Sequence, residues 1–278
     1  MENLTETVLQ KTIRIRPENS HKGTFGRAVL IGGNEQFGGA IIMSAEACVK
    51  SGAGLTTVIT AEKNHAPLHT RLPEAMVVSL TDEALQKEVL RSAEVILIGP
   101  GLGLEDQILN LLKRVLAQQT AEQWLVIDGS AITLFAQENL ILNFPAHVVF
   151  TPHQMEWERL SKIMINQQTP TKNQAAQQRL QATIVLKSHR TELYFPDQTS
   201  CRNPLGNAAM ATGGTGDTLA GLITGFLAQF KKSNTTIAAA VYLHSLIGDA
   251  LAQTDYVVLP TKISQQLPQY LKKFQSEV

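Results

Sequence analysis

The stretch NPLGNAAMATGGTGDTLAGLITGF, residues Asn203 to Phe226, indicates both the fold and the site of this protein. Its glycines stand directly before an apolar helical segment, and Asp217 lies in the first turn predicted for that helix. Glycine is entropically costly on folding, so such a cluster usually marks backbone that approaches another group closely. Free N–H groups at a helix start, together with the helix dipole, attract negative charge. The stretch therefore predicts an anion site with a carboxylate beside it.

The composition is that of an ordinary globular protein. The chain has 278 residues, 44% hydrophobic and 17% charged, and its 24 basic residues balance 24 acidic ones. A nucleic-acid partner is not expected, because binding surfaces for nucleic acids normally bring a basic surplus. No window approaches the roughly 18–20 apolar residues of a membrane span, and the N-terminus does not resemble a secretory signal. Cys48 and Cys201 form no CxxC pair, which favours a cytoplasmic protein without a zinc or redox motif.

Short apolar runs alternate with helical patterns along the chain. Continuous apolar runs predict strands that are buried on both faces, and their alternation with helices predicts a parallel sheet flanked by helices. The polar segment Ile165–Lys172 is predicted to be a surface loop, so one domain over residues 1–278 is expected. The predicted strands are Ala28–Ile31, Leu55–Thr60, Ala75–Leu80, Val95–Ile98, Leu125–Ile127, His147–Phe150, Thr183–Leu186 and Thr191–Phe195. The predicted helices are Ala40–Lys50, Asp106–Gln118, Gln174–Gln181, Thr218–Phe230, Thr235–Ala252 and Thr261–Phe274.

Two other glycine clusters admit alternative interpretations. VILIGPGLG, Val95 to Gly103, resembles a dinucleotide-binding turn, with Asp128 as the acid for a ribose hydroxyl. Its glycines follow GxGxG rather than GxGxxG, however, so a tight turn without a ligand remains an alternative. HKGTFGRAVLIGGNEQFGGA, His21 to Ala40, opens a helix of small residues that suits either an anionic ligand or close helix–sheet packing. Neither cluster contains the GK[ST] sequence of a phosphate loop.

The glycine–aspartate stretch suits phosphoryl transfer to an alcohol. Backbone amides of Gly213, Gly214, Thr215 and Gly216 would stabilise the moving phosphoryl group, and Asp217 would accept the hydroxyl proton. A helix N-terminus should keep Asp217 ionised with a low pKa, which makes it a weak base. A loose, metaphosphate-like transition state tolerates a weak base, because the hydroxyl proton leaves late.

Seven motifs in order resemble a known family. They are KGTFGRAVLIGGNEQFGGA, SGAGLTTVIT, IGPGLG, VIDGSAI, TPHQMEWERL, IVLKSHRT and NPLGNAAMATGGTGDTLAGLI, and they extend from about Lys22 to Gly225. GGTGD resembles the signature of the ribokinase-like superfamily, and the whole set is similar to the NAD(P)H-hydrate dehydratases. The resemblance implies a ribokinase-like three-layer α/β/α domain with a central, mostly parallel sheet. It also implies a repair enzyme that dehydrates the S epimer of hydrated NADH or NADPH, using ADP or ATP as phosphoryl donor.

The same resemblance implies roles for individual residues. Asp217 would be the catalytic base, supported by Gly214, Thr215 and Gly216, and the hydrated cofactor would also contact Ala40, Gly103 and His153. The nucleotide would contact Lys187, Ser188, His189, Arg190, Thr191, Asn207 and Gly216. Glu156 would orient Mg²⁺ through water. Taken alone, Glu156 also suits a first-turn helix acid, and His153 suits a strand-end histidine bonded to backbone.

The chain departs from the family pattern at a few positions. Gln154 and Met155 follow TPH in place of proline and glycine, Ile132 replaces a leucine, and Ser188 adds a side chain beside the nucleotide segment. The choice between ADP and ATP, and between NADH and NADPH hydrates, stays open. We expect no fused epimerase domain. We expect a homo-oligomer. The alternative functions are a small-alcohol kinase of the same superfamily and a nucleotide-binding regulator without catalysis.

Overall fold

One β-sheet forms the centre of the protein, and the computed structural model describes it within residues 1–277. Its strands are β1 (Glu2–Asn3), β2 (Arg27–Ile31), β3 (Leu55–Thr60), β4 (Met76–Ser79), β5 (Val95–Ile98), β6 (Trp124–Ile127), β7 (Val148–Phe150), β8 (Thr183–Leu186), β9 (Glu192–Tyr194) and β10 (Ser200–Arg202). They lie in the spatial order β1-β10-β9-β8-β7-β6-β5-β2-β3-β4. The strands from β2 to β8 pair in parallel, whereas β9 pairs antiparallel with both β8 and β10. The sheet is therefore mostly parallel, as predicted.

Helices connect the strands and cover the sheet. Short 3₁₀ turns occur at Lys22–Phe25, Glu62–Asn64, Pro145–His147, Ile165–Gln167 and Ala208–Met210. The α-helices are α1 (Thr7–Thr12), α2 (Gly38–Lys50), α3 (His65–Arg71), α4 (Glu83–Ser92), α5 (Asp106–Gln118), α6 (Gly129–Gln137), α7 (Gln154–Ser161), α8 (Pro170–Leu180), α9 (Thr215–Gln229), α10 (Asn234–Leu251) and α11 (Pro260–Phe274).

The sheet separates two hydrophobic cores. Successive side chains of a strand point to opposite faces, so Ala28 and Leu30 of β2 join one core while Val29 and Ile31 join the other. Helices α2, α9, α10 and α11 pack on the first face, and α4, α5, α6 and α7 pack on the second. Burial on both faces explains the continuous apolar runs of the sequence. The three-layer α/β/α architecture is confirmed.

Every predicted strand is present, and its ends differ from the predicted ends by at most one residue. The short strands β1 and β10 were not predicted, because they carry no apolar run. The predicted loop Ile165–Lys172 is wrong at its end, because α8 already begins at Pro170. Thr169 caps that helix by accepting a hydrogen bond from the Lys172 amide, and proline suits a first helical turn. Among residues 1–277, no helix combines the length and apolar character that a membrane crossing needs.

Close packing of α9 on α2 explains two glycines of the stretch Asn203–Phe226. A Cβ at Gly221 would collide with the Ser44 carbonyl, and one at Gly225 would collide with the Ser51 hydroxyl. These glycines let the two helix backbones approach each other. The N-terminus of α9 is thereby held at the edge of the sheet where the parallel strands end.

Candidate active site

Most of the predicted site residues follow neighbouring strands. Strands β5, β6, β7 and β8 lie side by side, so the segments after their carboxyl ends meet at one edge of the sheet. Gly103 follows β5, His153 follows β7, and Lys187 follows β8 directly. His153 and Lys187 form an isolated parallel bridge, and the Lys187 amide donates to the Pro152 carbonyl at 2.8 Å. Ligand sites of open α/β sheets occupy this edge.

Lys187 lies at the centre of this edge. Its Nζ is 2.8 Å from Oδ1 of Asp128, which also accepts a 2.5 Å hydrogen bond from the Thr151 hydroxyl. Burial opposes the charge of Lys187, but the carboxylates of Asp128, Glu156 and Asp217 outweigh it and raise the pKa of the lysine. Lys187 is therefore a fixed cation at neutral pH.

The first turn of α9 offers free amides beside this cation. Gly214, with φ of +94°, begins the helix, and within residues 1–277 no acceptor binds the amides of Gly213, Gly214, Gly216 and Asp217. Thr215 differs from the prediction, because its amide donates to the Thr212 carbonyl at 3.4 Å. Its hydroxyl donates to backbone carbonyls of the same loop. The free amides and the ammonium group together form a site for an anion.

The role of Gly216 in the anion site can be tested by a substitution that adds a side chain. A Cβ at Gly216 would lie 3.1 Å from Lys187 Nζ, so Gly216→Val should fill the space of the anion. We expect a loss of about 10–100-fold in kcat/KM with a nearly unchanged melting temperature. Gly39→Val is the matched control for the melting temperature, because Gly39 also lies in the first turn of a helix and its Cβ would meet no atom within 4 Å. Equal losses of melting temperature and activity in Gly216→Val would contradict this role.

Asp217 is a half-buried carboxylate next to the free amides. Its backbone carbonyl accepts a 2.9 Å hydrogen bond from the Ser44 hydroxyl, which also approaches the Ala40 carbonyl at 3.1 Å. Burial and the neighbouring Asp128 carboxylate raise the pKa of Asp217 to about 6, although Lys187 opposes the shift. The predicted low pKa is therefore wrong. Desolvation outweighs the helix dipole and makes Asp217 a better base near neutral pH.

His153 and Glu156 cap helix α7. The Nδ1 of His153 accepts from the Glu156 amide at 3.3 Å, and Oε2 of Glu156 accepts from the His153 amide at 2.8 Å. Burial raises the pKa of Glu156 to about 7, against the opposing charge of Lys187. Burial, followed by the charge of Lys187, lowers the pKa of His153. Both residues thus have a structural role, which does not prevent the exposed half of the imidazole from contacting a ligand.

Ala40 and Gly103 border the same region. Ala40 lies in the first turn of α2 and is linked to Asp217 through the Ser44 hydroxyl. The Gly103 amide donates to the Ser130 hydroxyl at 3.1 Å, two residues beyond Asp128. Gly103 has φ of +97°, a left-handed conformation that favours glycine. Ala40 is therefore linked to the backbone of Asp217 through Ser44, and Gly103 is linked to the start of α6, which follows Asp128, through Ser130.

A pocket of about 390 Å³ adjoins Lys187 and Gly216. It contains the predicted nucleotide-binding residues Lys187, Ser188, His189, Thr191, Asn207 and Gly216, together with Thr215. Arg190 does not line the pocket but supports its wall, since its guanidinium group donates to the Gly206 carbonyl at 2.9 Å. The Ser188 hydroxyl donates to the Arg190 carbonyl at 2.7 Å, so the departure at Ser188 stabilises this loop.

Several functional groups of this edge escaped sequence reasoning. Asp128 was considered only as a ribose ligand, whereas it pairs with Lys187 and Thr151. Its place at the end of β6 in VIDGSAI was the available signal. Asp249 accepts from the Gly206 amide and from the Asn207 side chain, at 3.1 and 2.7 Å, and no local pattern indicated it.

The carboxylates beside Lys187 suit Mg²⁺ that is bound to phosphate. Among residues 1–277, no three His, Cys, Asp or Glu side chains are arranged to enclose a metal ion. Mg²⁺ prefers waters, phosphate oxygens and one or two carboxylates. Asp128, Glu156 and Asp217 supply carboxylates around Lys187, so the residues fit an ion that arrives with the phosphates of a nucleotide.

Known proteins are similar to this chain in sequence and in fold. A family described as NAD(P)H-hydrate dehydratase matches residues 28–269. An ADP-dependent (S)-NAD(P)H-hydrate dehydratase of Enterococcus faecalis is 62% identical, over 99% of this chain and 94% of the relative. The crystal structure of a ribokinase-like superfamily protein from the same organism has a TM-score of 0.97 at 62% identity, with 99% and 96% of the two chains covered.

A more distant structure is informative about ligands. It is an ADP/ATP-dependent NAD(P)H-hydrate dehydratase of Bacillus subtilis, co-crystallised with ATP and Mg²⁺. It is 29% identical, with a TM-score of 0.85 and 99% of each chain covered. These similarities confirm the ribokinase-like fold. This chain belongs to the NAD(P)H-hydrate dehydratase family.

Proposed function

We propose that this protein repairs NADH and NADPH that have been damaged by addition of water to the nicotinamide ring. It is an ADP- or ATP-dependent lyase that dehydrates the S epimer of the hydrate and releases AMP or ADP and phosphate. One observation carries the proposal: the Asp217 carboxylate, the free amides of α9 and the Lys187 ammonium group lie together. The name and 62% identity of the Enterococcus relative support the same activity.

Phosphorylation of the ring hydroxyl is the first step. Asp217 takes the hydroxyl proton while the oxygen forms a bond to the terminal phosphorus of the nucleotide, and the bond from that phosphorus to the leaving nucleotide breaks. The free amides of Gly214, Gly216 and Asp217, with Lys187, hold the negative oxygens of the moving group. Such fixed donors stabilise developing charge without reorganisation.

Elimination of phosphate is the second step. Hydroxide is a poor leaving group, whereas phosphate is a good one. The lone pair of the ring nitrogen expels phosphate, and loss of a proton from the adjacent ring carbon restores the double bond. The hydrated ring is proposed to lie against Ala40, Gly103 and His153, at the edge that also carries Asp217.

Magnesium is proposed to accompany the nucleotide. When bound, Mg²⁺ would neutralise the phosphate charge, and the carboxylate of Glu156 would hold it through water. The nucleotide itself is proposed to occupy the 390 Å³ pocket beside Gly216 and Asn207. A single domain, a homo-oligomer and a cytoplasmic location remain predictions, the last supported by two free thiols, Cys48 and Cys201.

The raised pKa of Asp217 predicts a pH dependence. The base form is the carboxylate, so in a Glu156→Gln background, which lacks the second carboxyl group that titrates near pH 7, kcat/KM should be constant above the pKa of about 6 and fall as the pH drops through it. Below that point the loss should approach about tenfold per pH unit. Asp128→Asn removes a charge that raises the pKa of Asp217, so this variant should move the acid limb to lower pH. An unchanged limb would contradict the assignment.

The activity is tested directly with hydrated NADH, Mg²⁺ and either ADP or ATP. We expect the absorbance of the reduced nicotinamide to return, with one phosphate released for each NADH recovered. A stable phosphomonoester without recovery of NADH would instead identify a small-alcohol kinase. Nucleotide binding without any turnover would identify a regulator.

A further inference from the structure

The pocket beside Gly216 is lined by groups of two chemical kinds. Lys187, Ser188 and Gly216 form a polar end, where the free amides and the ammonium group suit phosphate. The apolar side chains of the lining come from the loop after β10 and from α9 and α10: Leu205, Ala208, Met210, Leu219 and Val241. A nucleotide has the same division, since its phosphates are charged and its base has apolar faces.

His244 is one of the polar residues in the same lining, which also includes Asn207, Thr215 and Ser245. It lies on α10 three residues after Val241, and both residues line the pocket. His244 is only 3% exposed, and its Nε2 has no hydrogen-bond partner within residues 1–277. A buried polar atom without a partner costs roughly 1–3 kcal/mol, so one is seldom kept without a use.

The imidazole of His244 is uncharged at neutral pH. Burial lowers the pKa of His244 to about 4, although the nearby Thr215 carbonyl opposes the shift. A neutral imidazole has one N–H donor and one acceptor nitrogen. The N–H donates to the Thr215 carbonyl, so Nε2 is left as an acceptor for an amino group at the edge of a base, and the imidazole adds no charge for phosphate.

We propose that His244 determines nucleotide specificity by hydrogen bonding to the base of the nucleoside diphosphate or triphosphate. The inference rests on the proposed function, in that the pocket must be the nucleotide site. A base that reaches Nε2, which is closed to solvent in the free protein, supplies the hydrogen-bond partner that this atom lacks. The apolar side chains around it, including Leu205 and Leu219, then cover the faces of the base.

Binding experiments separate the base from the phosphates. ADP and inorganic pyrophosphate are titrated into wild-type protein and into His244→Phe, which keeps a ring but loses its nitrogens. We expect about tenfold weaker ADP binding and unchanged pyrophosphate binding for His244→Phe. We also expect the KM for ADP to rise with kcat nearly constant. Tyr242→Phe is the control, because Tyr242 is buried on the same helix but does not line the pocket.

A second measurement observes ligand binding by the wild-type protein. The ring nitrogens of the seven histidines are observed by ¹⁵N NMR, with His244→Gln used to assign the His244 signals. Addition of AMP should shift the His244 signals, whereas pyrophosphate should leave them in place. The inference, but not the proposed function, would be overturned by either of two results. One is an ADP affinity of His244→Phe equal to that of the wild-type protein, and the other is that AMP does not shift the His244 signals. Failure of wild-type protein to bind ADP would overturn the proposed function and this inference with it.

Discussion

Replacing Asp217 with asparagine should lower kcat by about 10²–10⁴-fold and leave ADP affinity nearly unchanged. The amide side chain has almost the same shape but cannot accept the hydroxyl proton. The phosphates are held by the amides of α9 and by Lys187, so nucleotide binding does not require the carboxylate. Steady-state kinetics on hydrated NADH and calorimetric titration with ADP give the two quantities.

Asp106→Asn is the matched control for this variant. Asp106 also lies in the first turn of a helix, α5, but its side chain is exposed rather than half-buried. Asp106→Asn loses a favourable interaction with the helix dipole, whereas Asp217→Asn removes a carboxylate whose charge is disfavoured by burial, so the melting temperature should fall slightly in Asp106→Asn and should not fall in Asp217→Asn. If Asp217→Asn kept about a tenth or more of the wild-type kcat, Asp217 would not be the base.

Replacing Lys187 with methionine should lower kcat/KM by about 10²–10³-fold. The variant loses the cation beside Gly216 and leaves Asp128, which is 2% exposed, without its charged partner. An uncompensated buried carboxylate should also lower the free energy of unfolding by about 1–3 kcal/mol. Lys262→Met breaks the pair with Asp255, in which the lysine is about half exposed, and should cost at most about 1 kcal/mol.

A double variant separates the two effects of Lys187. Lys187→Met with Asp128→Asn removes both charges, so the free energy of unfolding should recover relative to Lys187→Met alone. The activity should stay low, because no cation then faces the phosphoryl group. Recovery of activity together with stability would show that Lys187 acts only by neutralising Asp128. Denaturant unfolding and steady-state kinetics on the same preparations provide both measurements.

Local signals in the sequence predicted much of the fold. The apolar runs are strands because both faces of the sheet are covered, and a run such as Val95–Ile98 is completely buried. Asp217 was recognisable because glycines before an apolar helix expose amides beside the first helical turn. Glu156 was recognisable as a first-turn helix acid, whereas its reciprocal capping with His153 became evident only in the structure.

The remaining features depend on residues that are distant in sequence. Asp128 meets Lys187 only because β6, β7 and β8 are neighbours in the sheet, an arrangement that no short pattern specifies. The pKa of Asp217 depends on burial by other elements, whereas the helix dipole alone predicted the opposite direction. His244 gave no signal, because an isolated histidine in an apolar helix becomes informative only when its neighbours are known.

Transfer of the ring oxygen to phosphate tests the central claim most directly. Hydrated NADH is prepared with ¹⁸O in its ring hydroxyl and incubated with the protein, Mg²⁺ and ADP, and the released phosphate is examined by mass spectrometry. If the hydroxyl is first phosphorylated and then leaves as phosphate, each phosphate should carry one ¹⁸O atom. Recovery of NADH with the label in water and none in phosphate would contradict the account.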